Sequence, residues 1–194
     1  MRRKIIILFI GAIALFCREL PQGYRYTLSL GLAEEYSSED SKTIYDDWPK
    51  PIFSFGIEKR HSPKSSWTLE VEARPFRIKR VSCENLERGL DVDITEYFFT
   101  YSYKRLINIS GINFYARGYV GLAFTNIFEK DTLPSEHQRT LFHIGPQAGV
   151  GMGVVVLRAP WEMNFEVFVR WIATALPDGY GTNFFGAKLG FSFR

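Results

Sequence analysis

Eight stretches of the chain alternate apolar and polar residues with a period of two, the pattern of β-strands that keep one greasy and one polar face. In the first, Tyr24, Tyr26, Leu28, Leu30 and Leu32 oppose Arg25, Thr27, Ser29 and Gly31. Phe53, Phe55 and Ile57 then oppose Ser54, Gly56 and Glu58, and Trp67, Leu69, Val71 and Ala73 oppose Thr68, Glu70, Glu72 and Arg74. The fourth stretch sets Tyr97, Phe99, Tyr101 and Tyr103 against Glu96, Phe98, Thr100 and Ser102, with a bulge expected near its start at Asp93. In the fifth, Ile112, Phe114, Ala116, Gly118, Val120 and Leu122 face away from Asn113, Tyr115, Arg117, Tyr119 and Gly121. The sixth has Phe142, Ile144, Ala148, Val150, Met152 and Val154 against His143, Gln147 and a row of glycines. Trp161, Met163, Phe165, Val167, Val169 and Trp171 oppose Glu162, Asn164, Glu166, Phe168 and Arg170 in the seventh, and Phe185, Ala187, Leu189, Phe191 and Phe193 oppose Phe184, Gly186, Lys188, Gly190 and Ser192 in the eighth.

Each stretch is about 10 residues or slightly longer, the length of a tilted transmembrane strand. The connections alternate too: residues 34–50, 79–91, 124–140 and 174–181 are long, whereas 61–65, 105–110 and 157–160 are short. Eight strands with long and short connections in turn predict an all-β fold, an antiparallel up-and-down transmembrane β-barrel. With both termini in the periplasm, every long connection lies outside. Closure also removes the unpaired strand edges that lipid cannot satisfy.

Alternation alone fits two orientations. A soluble exported barrel that binds an apolar ligand hides its greasy face, whereas a membrane barrel shows it. The polar face favours the second, because Glu70, Glu72, Arg74, Arg117, Glu166, Arg170 and Lys188 fall near strand centres with a summed charge near zero. Such residues neutralise one another in a narrow lumen, where an unpaired ion costs several kcal/mol, roughly. On the apolar face Tyr24, Trp67, Tyr101, Tyr103, Trp161, Trp171 and Phe193 gather near strand ends, as interfacial girdles do. Aromatic residues that merely fill a β-core are the competing explanation.

The chain opens with Met1-Arg2-Arg3-Lys4 and an apolar run from Ile5 to Cys17, too short for a spanning helix and suited to a secretory leader. Residues 1–22 are read as a signal peptide, cleaved between Ala14 and Gly23, and residues 23–194 as one barrel domain. Bulky Phe16 argues against lipidation of Cys17. The formal charge of the 194 residues is +3, and the leader carries that excess, so the body is near neutral and shows no nucleic-acid footprint. Unless Cys17 is retained, Cys83 alone remains after cleavage, and no disulfide framework can be built from it.

The leader, the glycine-rich run from Gly145 to Gly153 and the closing Gly186-Ala-Lys-Leu-Gly-Phe-Ser-Phe193 together resemble the small outer-membrane β-barrels of Gram-negative-type bacteria, the OmpA-like or opacity-protein class. The resemblance spans residues 24–193 and implies residence in the bacterial outer membrane. It also implies contact with outer-membrane lipid, insertion by the outer-membrane assembly machinery, and a role in anchoring, adhesion or lipid modification. Arg194 follows the terminal aromatic, a departure from the tail that the machinery recognises.

Eight strands enclose a lumen just wide enough for side chains, so the seven central charges are assigned a structural role in place of transport. Tyr36, Tyr45 and Trp48, beside Asp46 and Asp47 in the first long connection, are the candidate surface for an unknown ligand. A lipid-modifying hydrolase is an alternative, since Ser62 adjoins His61, Ser135 and Glu136 precede His137, and His143 can face Glu162 or Glu166 across strands. None of these sets completes a triad, so no catalytic residue is assigned. The chain contains neither His-x-His nor Cys-x-x-Cys spacing nor a calcium-loop pattern, so no metal or cofactor is expected.

Overall fold

The computed structural model describes residues 20–35, 44–45, 50–81, 89–131, 138–157, 161–173 and 183–193. Nine strands are formed there: β1 (Tyr24–Glu35), β2 (Ile44–Tyr45), β3 (Lys50–Ser62), β4 (Ser65–Val81), β5 (Gly89–Ile109), β6 (Ile112–Asp131), β7 (Gln138–Leu157), β8 (Glu162–Ile172) and β9 (Asn183–Phe193). Eight of them close an antiparallel barrel, because β1 pairs with both β3 and β9 while β4 also pairs with β5. The ninth, β2, is a two-residue strand within the first long connection, laid against Ile78 and Lys79 of β4.

The register fixes the shape of this barrel. A sideways path from Tyr24 through Lys59, Trp67, Tyr103, Gly118, Val150, Val169 and Phe185 returns to β1 at Glu34, ten residues from where it began. A stagger of that size on eight strands tilts them by about 40°. Each residue then advances the chain by about 2.5 Å along the axis, and ten residues cross an apolar belt of about 25 Å.

The expected strand lengths hold for β8 and β9, with 11 residues each, and fail for β4 to β7, which run 17, 21, 20 and 20. Much of the long connections 79–91 and 124–140 is therefore strand: β4 continues to Val81, β5 starts at Gly89, and β6 and β7 pair as far as Lys130 and Gln138. Alternation is weak there because neither face is uniformly apolar, so a period-two reading stops short. The short connection 105–110 is likewise strand up to Ile109, closed by a two-residue turn. Ser110 (φ 51°) and Gly111 (φ 85°) both lie in the left-handed region that tight hairpins require. No bulge interrupts β5, whose pairing with β4 and β6 is continuous; the irregularities fall at Arg60/Ser62 and Val155/Leu157.

The apolar face points outward. Leu69 is 62 % exposed and Phe165 45 %, whereas Glu70 is 2 %, Glu72 1 % and Arg170 0 % exposed. This is the reverse of a soluble ligand-binding barrel. Outside, Trp67 stacks on Tyr101 with ring centroids 4.9 Å apart and meets Tyr103 at 4.5 Å, and Trp161 meets Phe193 at 6.1 Å. Tyr26, on the same outer face, is only 5 % exposed because the rings of Phe55 and Phe193 flank it.

Candidate functional site: a filled lumen below an external wall

Inward positions of all eight barrel strands meet on the axis, and their charges stack in three tiers. At the end that carries the short turns, Glu162 accepts from Lys104 (3.0 Å) and Arg60 and is ion-paired with Arg25 (3.6 Å), while Lys104 also reaches Glu58 (3.0 Å). The middle tier is centred on Lys188, whose Nζ lies 3.3 Å from Glu70, 3.5 Å from Glu72 and 3.8 Å from Glu166. Arg117 joins Glu70 (2.7 Å) to Glu166 (3.5 Å), and Arg170 pairs with Glu72. Three acids thus face three bases. Arg74 stands apart in the third tier, donating through Nε to Glu96 at 2.7 Å.

Neutral donors and acceptors complete the lattice, as buried charges require. Tyr115 donates to Glu166 (3.0 Å) and is also within reach of Asn164 (3.1 Å), Arg117 donates to Ser102 (2.9 Å), and Gln147 donates to Thr100 (2.8 Å). Around and beyond Arg170 the lumen turns aromatic. Its guanidinium lies 4.4 Å from the Tyr119 ring and 5.5 Å from Phe168, and that of Arg74 lies 4.0 Å from Phe184. Phe98, Phe168 and Phe184 pack there with Ala33, Ile52, Tyr119, Ala123 and Ile172 in one buried cluster.

Ions below and rings above leave little space. A cavity of about 20 Å³ between Ser29, Glu58, Glu70, Lys104, Arg117 and Lys188 has room for a water molecule and for no solute. Glycines permit this density, since on β7 the arms of Arg170 and Tyr115 lie where a side chain at Gly149 or Gly153 would sit.

The seven central charges are all on inward positions; six share the middle tier, and Arg74 belongs to the neighbouring one. Sequence reasoning passed over Arg25, Glu58, Arg60, Glu96, Lys104 and Glu162. Most have the right parity but lie away from strand centres, and Lys104 falls beyond the expected end of its strand. Parity, without a requirement for centrality, would have found them.

Of the candidate binding residues, Tyr36 and Trp48 lie outside the described residues, as do residues 1–19 of the leader. Tyr45 is placed by its backbone on β2, opposite Ile78. For the hydrolase alternative, Ser135, Glu136 and His137 also lie outside the described residues. Ser62 Oγ is engaged with Ser65 Oγ at 2.7 Å, and the buried Nε2 of His143 makes no hydrogen bond. No catalytic pair is assembled among the described residues.

Above the barrel rim, β4 to β7 continue as a four-stranded wall. The last β3–β4 pair is Phe53 with Ala73 and the last β7–β8 pair is Gln147 with Ile172. The rest of β4 (74–81) and of β7 (138–146) carries the wall about 20 Å higher. Phe142 and Ile144, 61 % and 56 % exposed, extend the outward apolar surface onto it. Phe142 meets Phe124 at 6.3 Å and Phe124 meets Phe99 at 5.3 Å, an aromatic diagonal from the belt to the wall.

No family model and no curated protein matches this sequence. Solved structures do match in shape. Neisserial surface protein A (NspA) aligns with a TM-score of 0.59 at 11 % identity, covering 90 % of this chain and 99 % of that one. The attachment invasion locus protein Ail of Yersinia pestis, solved with the heparin analogue sucrose octasulfate, aligns at 0.57 and 9 % identity, covering 88 % and 96 %. A major outer membrane protein of Thermus thermophilus aligns at 0.55 and 10 % identity, covering 88 % and 98 %. With its closed eight-strand register, outward apolar belt and filled lumen, the chain has the fold of the small outer-membrane β-barrels, the OmpA-like class.

Proposed function

We propose that the protein is an integral component of a bacterial outer membrane and acts there as a rigid support for surface recognition or envelope anchoring. The outward belt of leucine, valine and aromatic residues supports the location, since an exposed apolar surface of this extent is unfavourable in water. The filled lumen argues against solute passage. The observation that carries the functional reading is the length of β4 to β7, with β5 to β7 about twice what a membrane crossing needs. Strand beyond that need serves a surface outside the belt, and the first long connection joins it through β2.

The chemistry of that connection narrows the partner. Residues 34–50 contain six acids (Glu34, Glu35, Glu39, Asp40, Asp46 and Asp47) against Lys42 and Lys50, with Tyr36, Tyr45 and Trp48 among them. An acidic and aromatic surface fits a cationic or neutral partner and repels a sulfated polyanion of the type bound to Ail. The test has two parts. Expressed protein should float with membranes and migrate differently before and after heating; soluble recovery without detergent overturns the location. Tyr45→Ala with Trp48→Ala, in a barrel that still assembles, should abolish binding of cells to a surface partner identified for the parent. Unchanged binding to every such partner overturns the recognition surface.

A further inference from the structure

Among the described residues, the outward-facing charges near the short turns are all basic. Lys59, Lys64 and Arg105 are exposed there, and the acids among the described residues at that end, Glu58 and Glu162, are each 1 % exposed and held inside by Lys104, Arg25 and Arg60. Lys59, Lys64 and Arg105 take part in no ion pair among the described residues. They lie on β3, on the β3–β4 turn and on β5, at one side of the barrel. Leu106 N donates to Lys64 O at 2.7 Å, which fixes the β3–β4 turn beside Arg105, and Lys64 N donates to Ser62 Oγ at 3.2 Å. Lys59 is in register with Trp67, which is in register with Tyr103, and its ammonium lies 5.3 Å from the Tyr24 ring.

Three unpaired bases beside a stacked aromatic floor, at the edge of an apolar belt, suit one kind of partner. Bases on a lipid-facing surface are costly at the midplane and tolerated near an interface, where the stem stays in hydrocarbon and the head reaches phosphate. Near an anionic leaflet each base gains about 1 kcal/mol. We infer that Lys59, Lys64 and Arg105 form a binding site for an anionic diacyl phospholipid, of the phosphatidylglycerol type, in the periplasmic leaflet. The site lies at the opposite end of the barrel from the acidic first connection, so the molecule presents unlike charge to its two leaflets. Trp67, Tyr101 and Tyr103 would border the glycerol region and Leu69 the upper acyl chains.

The inference rests on the outer-membrane reading above, and the experiment separates the two. The whole exported chain is refolded in detergent, checked for heat-dependent gel mobility and vesicle flotation, and titrated with phosphatidylglycerol or phosphatidylcholine under native mass spectrometry. Phosphatidylglycerol should bind preferentially, by about fivefold for each base engaged. Lys59→Gln with Lys64→Gln and Arg105→Gln should erase the preference, whereas Lys59→Arg with Lys64→Arg and Arg105→Lys should keep it. In the parent, raising salt to 1 M should remove most of the preference, because screening then acts within about 3 Å. A parent that floats with vesicles yet shows no headgroup preference, or a neutral triple variant that keeps it, overturns the site alone. Failure to float overturns the location beneath it.

Discussion

Pro75 on β4 and Pro146 on β7 mark the two margins at which the barrel gives way to the external wall. Pro75 lies two residues beyond Ala73, the last β4 residue paired with β3, and Pro146 directly precedes Gln147, the first β7 residue paired with β8. The Pro146 carbonyl accepts the Ala173 N–H at 2.9 Å, so the donor that proline lacks is lacking on the side where β8 ends. Proline is tolerated at a sheet edge and discourages further pairing there. Two such residues at matching heights let four strands rise above a closed barrel with their margins partly protected, and β2 covers part of the β4 margin.

Replacing Pro146 with threonine restores a donor at that margin without touching the barrel core. Stability in urea should change by no more than about 1 kcal/mol, while self-association in detergent, followed by sedimentation velocity, should rise. A loss of several kcal/mol with no change in association would mean that Pro146 shapes the barrel and does not guard its edge.

Gly118 and Gly153 offer a paired test of the packing inside. A methyl group at Gly153 would fall 2.2 Å from the Phe165 carbonyl oxygen and 2.6 Å from the Tyr115 ring, whereas at Gly118 it would meet nothing within 4 Å. Gly153→Ala should therefore destabilise the folded barrel by about 1–3 kcal/mol, and Gly118→Ala should lie within about 0.5 kcal/mol of the parent. Urea unfolding in lipid vesicles, read by heat-dependent gel mobility, measures both. Equal effects at the two sites would contradict the close approach.

The Ser110-Gly111 turn carries a smaller and opposite expectation. Serine at φ 51° is strained relative to asparagine, which tolerates the left-handed region. Ser110→Asn should stabilise the β5–β6 hairpin by a few tenths of a kcal/mol, roughly, and Gly111→Val should cost about 1–2 kcal/mol. The same unfolding assay reads the pair, and a neutral Gly111→Val would show that the turn relaxes without penalty.

How much of this was legible depended on whether one face was uniform. Leu69, Val71, Phe165 and Val167 alternate with Glu70, Glu72, Glu166 and Arg170, so the parity of β4 and β8 and the bounds of β8 are readable within the belt. Above it, β5 reads Ile94, Thr95 and Glu96, which are all buried, and β6 reads Thr125 and Asn126, so no period survives. The sequence therefore predicts loop where much of the wall stands. The membership of the charge tiers was equally hidden, because parity tells which way Glu96 and Glu162 point but not that Arg74 would choose Glu96 over Glu72. That choice depends on the ten-residue stagger, which emerges only when all eight strands close.

Glu72 and Arg170 form the ion pair most isolated from water, with both side chains 0 % exposed. Lys188 also approaches Glu72 at 3.5 Å, and Thr100 donates to its Oε1 at 3.3 Å. Removing only the guanidinium with Arg170→Met leaves a carboxylate short of one partner in an aromatic surround, and should cost about 3–5 kcal/mol. Removing both charges with Glu72→Leu and Arg170→Met leaves Lys188 facing Glu70 and Glu166, which still balance it with Arg117. The double variant should then recover at least half of the loss, giving a coupling energy of roughly 1.5 kcal/mol or more in a double-mutant cycle. Additive losses would show that Arg170 stabilises the barrel through Tyr119, Phe98 and Phe168 and owes little to Glu72. The lumen would then be held by packing of guanidinium on rings, with charge neutrality a secondary condition.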